Sequence, residues 1–117
     1  MTEFGAYVRG RREALQEQDG RYSLRQMAKR IGVEPAYLSK IERGEMPPPS
    51  EATIRRIAEE LNEDHDVMLA LGGKVSSDLL VEIRRRPKLF AEIIRTLKDA
   101  PDHAMLRIVR EVRDGDW

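Results

Sequence analysis

The chain has no cysteine, which excludes disulfides and thiolate metal sites and leaves no marker of an oxidising compartment. Aromatic residues make up only 5% of its 117 positions, so any core must be aliphatic. No apolar run approaches the ~20 residues of a membrane span. The opening stretch, MTEFGAYVRGRREAL, lacks the apolar centre of a secretory signal. A cytoplasmic location is the resulting expectation, with no membrane partner. Net charge is zero, which at first argues against an anionic partner. The distribution argues back: residues 1–56 hold 11 Lys/Arg against 8 Asp/Glu, a net of +3, and residues 57–117 hold 10 against 13, a net of −3.

Catalytic constellations are also missing. The two histidines, His65 and His103, are far apart and belong to no spaced ligand set such as HExxH. There is no GxGxxG or GxxxxGK[ST] phosphate loop. Carboxylates are plentiful but interleaved with bases, as on exposed helices, and paired catalytic carboxylates need a shaped cleft. The chain is read as no enzyme, with no cofactor and no metal.

What is present is a soluble-type helical composition, 40% hydrophobic and 36% charged, and one dense stretch from Ser23 to Gly44. Ser23 is a good N-cap, and Gln26 three residues later completes a capping-box pattern. Leu24, Met27, Ala28 and Ile31 recur on one helical face. Gly32 follows where a helix end favours positive φ. Glu34 is a weak cap, but Pro35 suits the first turn of a second helix because its missing N–H needs no partner there. Leu38 and Ile41 are the inward positions of that helix, Gly44 ends it, and Ala36, Tyr37, Lys40 and Arg43 lie on the outward face. Two short helices joined in this way form a helix-turn-helix, which places its second helix in a DNA major groove.

The stretch resembles the Cro/repressor-type (XRE-like) family. The matching residues are Leu24, Ala28, Gly32-Val33, Leu38-Ser39 and Ile41-Glu42-Arg43-Gly44. Pro49-Ser50, Ile54, Ile57-Ala58 and Leu61 continue the pattern downstream, and Phe4-Gly5, Val8-Arg9 and Arg12 resemble its first helix. The likeness spans residues 4–72. It implies an all-α, five-helix repressor-like DNA-binding domain and a homodimeric transcriptional regulator, most often a repressor, on double-stranded DNA with a palindromic operator. Matching positions to the family, the resemblance implies that Pro35, Ala36, Tyr37, Ser39 and Lys40 face base edges or the groove floor, that Ser23 and Arg25 lie near phosphate, and that Arg43 holds phosphate. Lys40 can donate to guanine, and Pro35 and Ala36 can meet thymine methyls. Leu24 departs from the family, which often has a phosphate-contacting Gln there, and Arg25 is the expected substitute. The resemblance also implies that Arg12 pairs with Glu42, against the alternative of two solvated charges.

Along the rest of the chain, residues 3–17 read as a first helix, with Phe4, Val8 and Leu15 near one face. QEQDGRY reads as a flexible polar loop. GEMPPPS cannot be helix and reads as a rigid connector. Ser50 caps a helix over 51–62, buried through Ile54, Ile57, Ala58 and Leu61. Asp64 caps a short fifth helix to Leu71, with Val67, Met68 and Leu71 inward. Gly72-Gly73 closes a first domain of residues 1–73, and 74–117 forms a short helical C-terminal extension. Its expected helices run from Ser76–Asp78 to Arg86, over 88–99 and over 102–113. Arg84-Arg85-Arg86 reads as a solvated helix end complementing the helix dipole, in preference to a DNA contact. The extension is rich in apolar side chains, and such short helices are marginal alone. Ile93, Ile94, Leu97, Leu106, Val109 and Trp117 are the expected dimer contacts. The alternative is an antitoxin-like interaction module whose C-terminal helices bind another protein.

Overall fold

A computed structural model describes residues 3–117; residues 1 and 2, included in the expected first domain, lie outside the described residues. The described chain is all-helical, with eight α-helices and no strand. They are α1 (Glu3–Gln16), α2 (Leu24–Ile31), α3 (Pro35–Glu42), α4 (Glu51–Leu61), α5 (His65–Leu71), α6 (Ser77–Arg85), α7 (Pro87–Leu97) and α8 (Asp102–Asp114). The chain divides into two units, the first ending at Ser77 and the second covering Asp78–Trp117.

The helices of the first unit start where their caps dictate. The hydroxyls of Ser23 and Ser50 accept from the Gln26 and Thr53 amides, and the Asp64 carboxylate accepts from the Val67 amide. Between these caps the apolar stripes converge on one core. It is built from Phe4 and Val8 of α1, Met27, Ala28 and Ile31 of α2, and Leu38 and Ile41 of α3. Ile54, Ile57, Ala58 and Leu61 of α4 and Met68 and Leu69 of α5 complete it. GEMPPPS is non-helical, and Pro49 is buried.

Three local expectations are corrected. QEQDGRY is not a free loop: Gly20–Tyr22 is a 3-10 turn capped by Asp19, whose carboxylate accepts from the Arg21 amide and pairs with its guanidinium at 2.9 Å. The same turn changes the cap of α2. The Ser23 amide donates to the Gly20 carbonyl, so the reciprocal half of a capping box has no donor left to satisfy. In α5, Val67 points outward and Leu69 inward, with Leu71 half-buried. That helix packs on both α4 and α1, and consecutive residues, about 100° apart around a helix, supply the two inward directions. Two serines tie the end of the first unit to α4. Ser76 is buried and accepts from Arg55 at 3.0 Å, and Ser77 donates to Glu51 at 3.0 Å. Arg55 in turn reaches Glu51 at 3.2 Å and the His65 ring at 3.0 Å, so one guanidinium ties α4, the start of α5 and this strand of chain together. Ser77's hydrogen bonds hold the Glu51 carboxyl below its ordinary pKa.

In the second unit no residue of α6, α7 or α8 is buried, and none of the three helices packs along the length of another. Their hydrophobic faces are open.

Candidate nucleic-acid interface

The helix-turn-helix is α2 and α3 with the turn between them. Gly32 takes φ +77°, and the Val33 amide donates back to the Ala28 carbonyl at 3.0 Å, which closes α2 and reverses the chain. Glu34 makes no side-chain cap, and Pro35 occupies the first turn of α3. Leu38, Ile41 and Glu42 are the buried side of α3. A glutamate on the core side of a helix needs a partner, and Arg12 of α1 provides it. The two meet in a bidentate pair, Nε to Oε2 at 2.8 Å and Nη2 to Oε1 at 2.9 Å, with side chains 7% and 3% exposed. Arg12 Nη1 also donates to Gln16 Oε1 and to the Tyr22 carbonyl, both at 3.1 Å. Its hydrogen bonds to Glu42 hold the guanidinium above its ordinary pKa, while burial pulls the other way. The arrangement locks α1, the 3-10 turn and the C-terminal end of α3 together.

A second contact sets how closely α1 and α3 approach. A Cβ added at Gly5 would collide with the Ile41 carbonyl oxygen and lie 3.0 Å from that of Glu42. Only glycine permits this approach of the first turn of α1 to the last turn of α3. Sequence reading matched Gly5 to the family pattern without finding its reason, because the contact is made across 36 residues; its one signal was a glycine inside a helical pattern.

The far side of α3 is open. Ala36, Lys40 and Arg43 are exposed, while Pro35, Tyr37 and Ser39 are half-buried; Tyr37 packs partly on the core. Lys40 has no ion-pair partner among the described residues; Arg43 pairs with Glu45 at 3.0 Å and its Nε donates to the Ser39 carbonyl at 3.4 Å. Arg25, at the start of α2, is exposed and also has no ion-pair partner among the described residues. Ser23 is half-buried, with its hydroxyl engaged as the cap. Leu24 is half-buried and packs against the core, which accounts for an apolar residue there.

Leu24 also borders a small cleft of about 130 Å³ together with Arg9, Arg12, Ser39, Glu42 and Arg43. It gathers the guanidiniums of Arg9 and Arg12 of α1 and of Arg43, just past α3, around the Glu42 carboxylate beside the start of α2. Arg9, which sequence reading did not single out as a site residue, pairs within its own helix with Glu13 at 3.4 Å.

The expected dimer residues lie in the other unit. Ile93, Ile94, Leu106, Val109 and Trp117 are exposed and Leu97 is half-buried. No helix among the described residues is long and apolar enough to cross a membrane.

Residues 3–71, more than half of the chain, match the family model described as "Helix-turn-helix domain". No curated protein and no solved structure matches the chain. The matched span starts with α1, ends with α5, and contains both helices of the α2–α3 motif and the Arg12–Glu42 pair. A domain of this kind suggests a DNA-binding regulator, and the chain belongs to the helix-turn-helix domain family.

Proposed function

We propose that this chain is a sequence-specific transcriptional repressor of the Cro/repressor type, acting in the cytoplasm as a homodimer on a palindromic operator. The observation that carries the reading is α3 itself. One side is fastened to α1 by a buried ion pair, and the opposite side exposes Ala36, Lys40 and Arg43, with no ion-pair partner for Lys40 among the described residues. In this reading α3 lies in the major groove, with Pro35, Ala36, Tyr37, Ser39 and Lys40 toward base edges and the groove floor. Ser23, Arg25 and Arg43 meet phosphates, which fix register but carry no sequence information. At the cleft beside Leu24, the exposed Arg9 and Arg43 can exchange their surface partners Glu13 and Glu45 for a backbone phosphate, while Arg12 stays with Glu42.

One such domain reads few base pairs, and two-fold symmetric proteins bind half-sites about 34–36 Å apart. The open apolar faces of α7 and α8 provide the material for that symmetry, with Ile93, Ile94, Leu97, Leu106, Val109 and Trp117 as contacts. The test is selection of bound duplexes from a random pool, followed by titration of the enriched site and of one half of it. The reading requires enrichment of an inverted repeat, a dimer on DNA by light scattering, and much weaker binding to the half-site. Enrichment of no sequence, or full affinity for a half-site by a monomer, overturns it.

The same open faces favour one rival, an antitoxin-like module in which these helices bind a different protein. A monomer that ignores DNA and forms a defined complex with one co-expressed neighbour supports that rival.

A further inference from the structure

Trp117 is the only tryptophan of the chain and is 89% exposed, yet it is held in place. Its indole Nε1 donates to the Val112 carbonyl at 2.9 Å, folding the ring back over the end of α8. Gly115 makes room for this: a Cβ there would lie 2.7 Å from the indole nitrogen. The single polar atom of the ring already has its partner, so the ring can leave water without losing a hydrogen bond. It extends the open apolar side of α8, where Leu106, Val109 and Val112 are exposed. Asp116 directly precedes it, and Asp114 pairs with Arg113 at 3.1 Å.

The second unit also holds a groove of complementary character. Leu89, Ile93, Leu97 and Ile108 line its apolar floor between α7 and α8, with Glu92 and Thr96 along one edge. Lys88 and Arg95 stand on the other side of that edge. Neither cation has an ion-pair partner among the described residues.

We infer that the Asp114–Trp117 segment of one copy seats in the α7–α8 groove of a second copy, the indole on the apolar floor and Asp116 against Lys88 and Arg95. Within one copy the indole is bonded to the Val112 carbonyl and 89% exposed, and it is not among the residues that line the groove. Two-fold symmetry makes the exchange reciprocal. Each buried indole removes about 150–250 Å² from water, so a reciprocal pair supplies a substantial part of the roughly 1,200–2,000 Å² typical of a stable interface. The inference rests on the homodimer reading above.

The sole tryptophan makes the test direct. The full chain is followed over a dilution series by sedimentation velocity and by tryptophan emission with acrylamide quenching. The emission maximum moves to the blue and quenching falls in step with the dimer fraction. R95E weakens the dimer by about tenfold, and D116K in the R95E background restores part of the loss, the scale expected of one interfacial residue. Trp117→Ala, which removes no buried side chain, weakens the dimer while circular dichroism stays unchanged. A dimer whose emission stays that of an exposed indole overturns this seat and leaves the homodimer standing. Blue-shifted emission in the monomer overturns it in favour of burial within one copy, and absence of any dimer overturns both.

Discussion

Replacing Glu42 by alanine removes one half of the buried pair and leaves Arg12 inside the first unit. Breaking a buried ion pair from one side typically costs about 3–5 kcal/mol, because the remaining charge stays desolvated. Arg12 keeps its Nη1 bonds to Gln16 and to the Tyr22 carbonyl, which places the expected loss near the lower end, about 3 kcal/mol. For a domain of this size each kcal/mol lowers the melting temperature by about 4–8 °C, so the variant should melt roughly 12–24 °C below the parent. Thermal circular dichroism reads this, with urea titration as a check that the transition stays two-state. Because Glu42 fastens α3 to α1, affinity for the selected duplex should fall together with stability. The double variant R12M/E42L should recover most of the stability, since an apolar pair of similar volume avoids desolvating two charges. A melting temperature within about 3 °C of the parent, well short of the drop expected at this domain size, would falsify the anchoring role. So would an unchanged melting temperature accompanied by altered base preference.

Three further outcomes follow from the same structure. Lys40→Ala should cost about 1–3 kcal/mol on the enriched duplex and leave non-specific binding nearly intact; equal weakening on all DNA would make Lys40 a phosphate contact only. Gly5→Ala must push α1 away from the last carbonyls of α3 and should destabilise by about 1–3 kcal/mol, the usual range for overpacking; a variant as stable as the parent in urea would show that the two helices slide apart freely. The Glu51 carboxyl, held down in pKa by Ser77 and Arg55, contributes stability above the ordinary glutamate range, and that contribution is lost as pH falls through its folded pKa; E51Q should therefore flatten the acid limb of urea midpoint against pH, and an unchanged limb would sink the assignment.

Features governed by one helical turn were readable directly. Ser23, Ser50 and Asp64 cap helices because an oxygen at that position lies within reach of an amide two or three residues on, whatever the rest of the chain does. Gly32 and Pro35 mark the reversal for equally local reasons, positive φ and a dispensable N–H. The stripes of α2 and α4 are legible because burial on one side of a helix repeats every turn. The α3 face with Ala36, Lys40 and Arg43 follows from the same periodicity, as the side left over once Leu38 and Ile41 turn inward.

Tertiary structure decided what depends on where helices cross. Arg12 and Glu42 stand 30 positions apart, and only the packing of α1 on α3 makes them a bidentate pair sealed from water. Gly5 acquires its reason from the same crossing. Val67 and Leu69 change places with respect to the simple stripe because α5 touches two neighbours. Ser76 joins the first unit because Arg55 reaches it from α4. In α6–α8 the composition announced apolar side chains in need of cover, but only the folded chain shows them open within the second unit. Local sequence sets the face a helix can bury; the surface that meets it is assembled from residues far away in the chain.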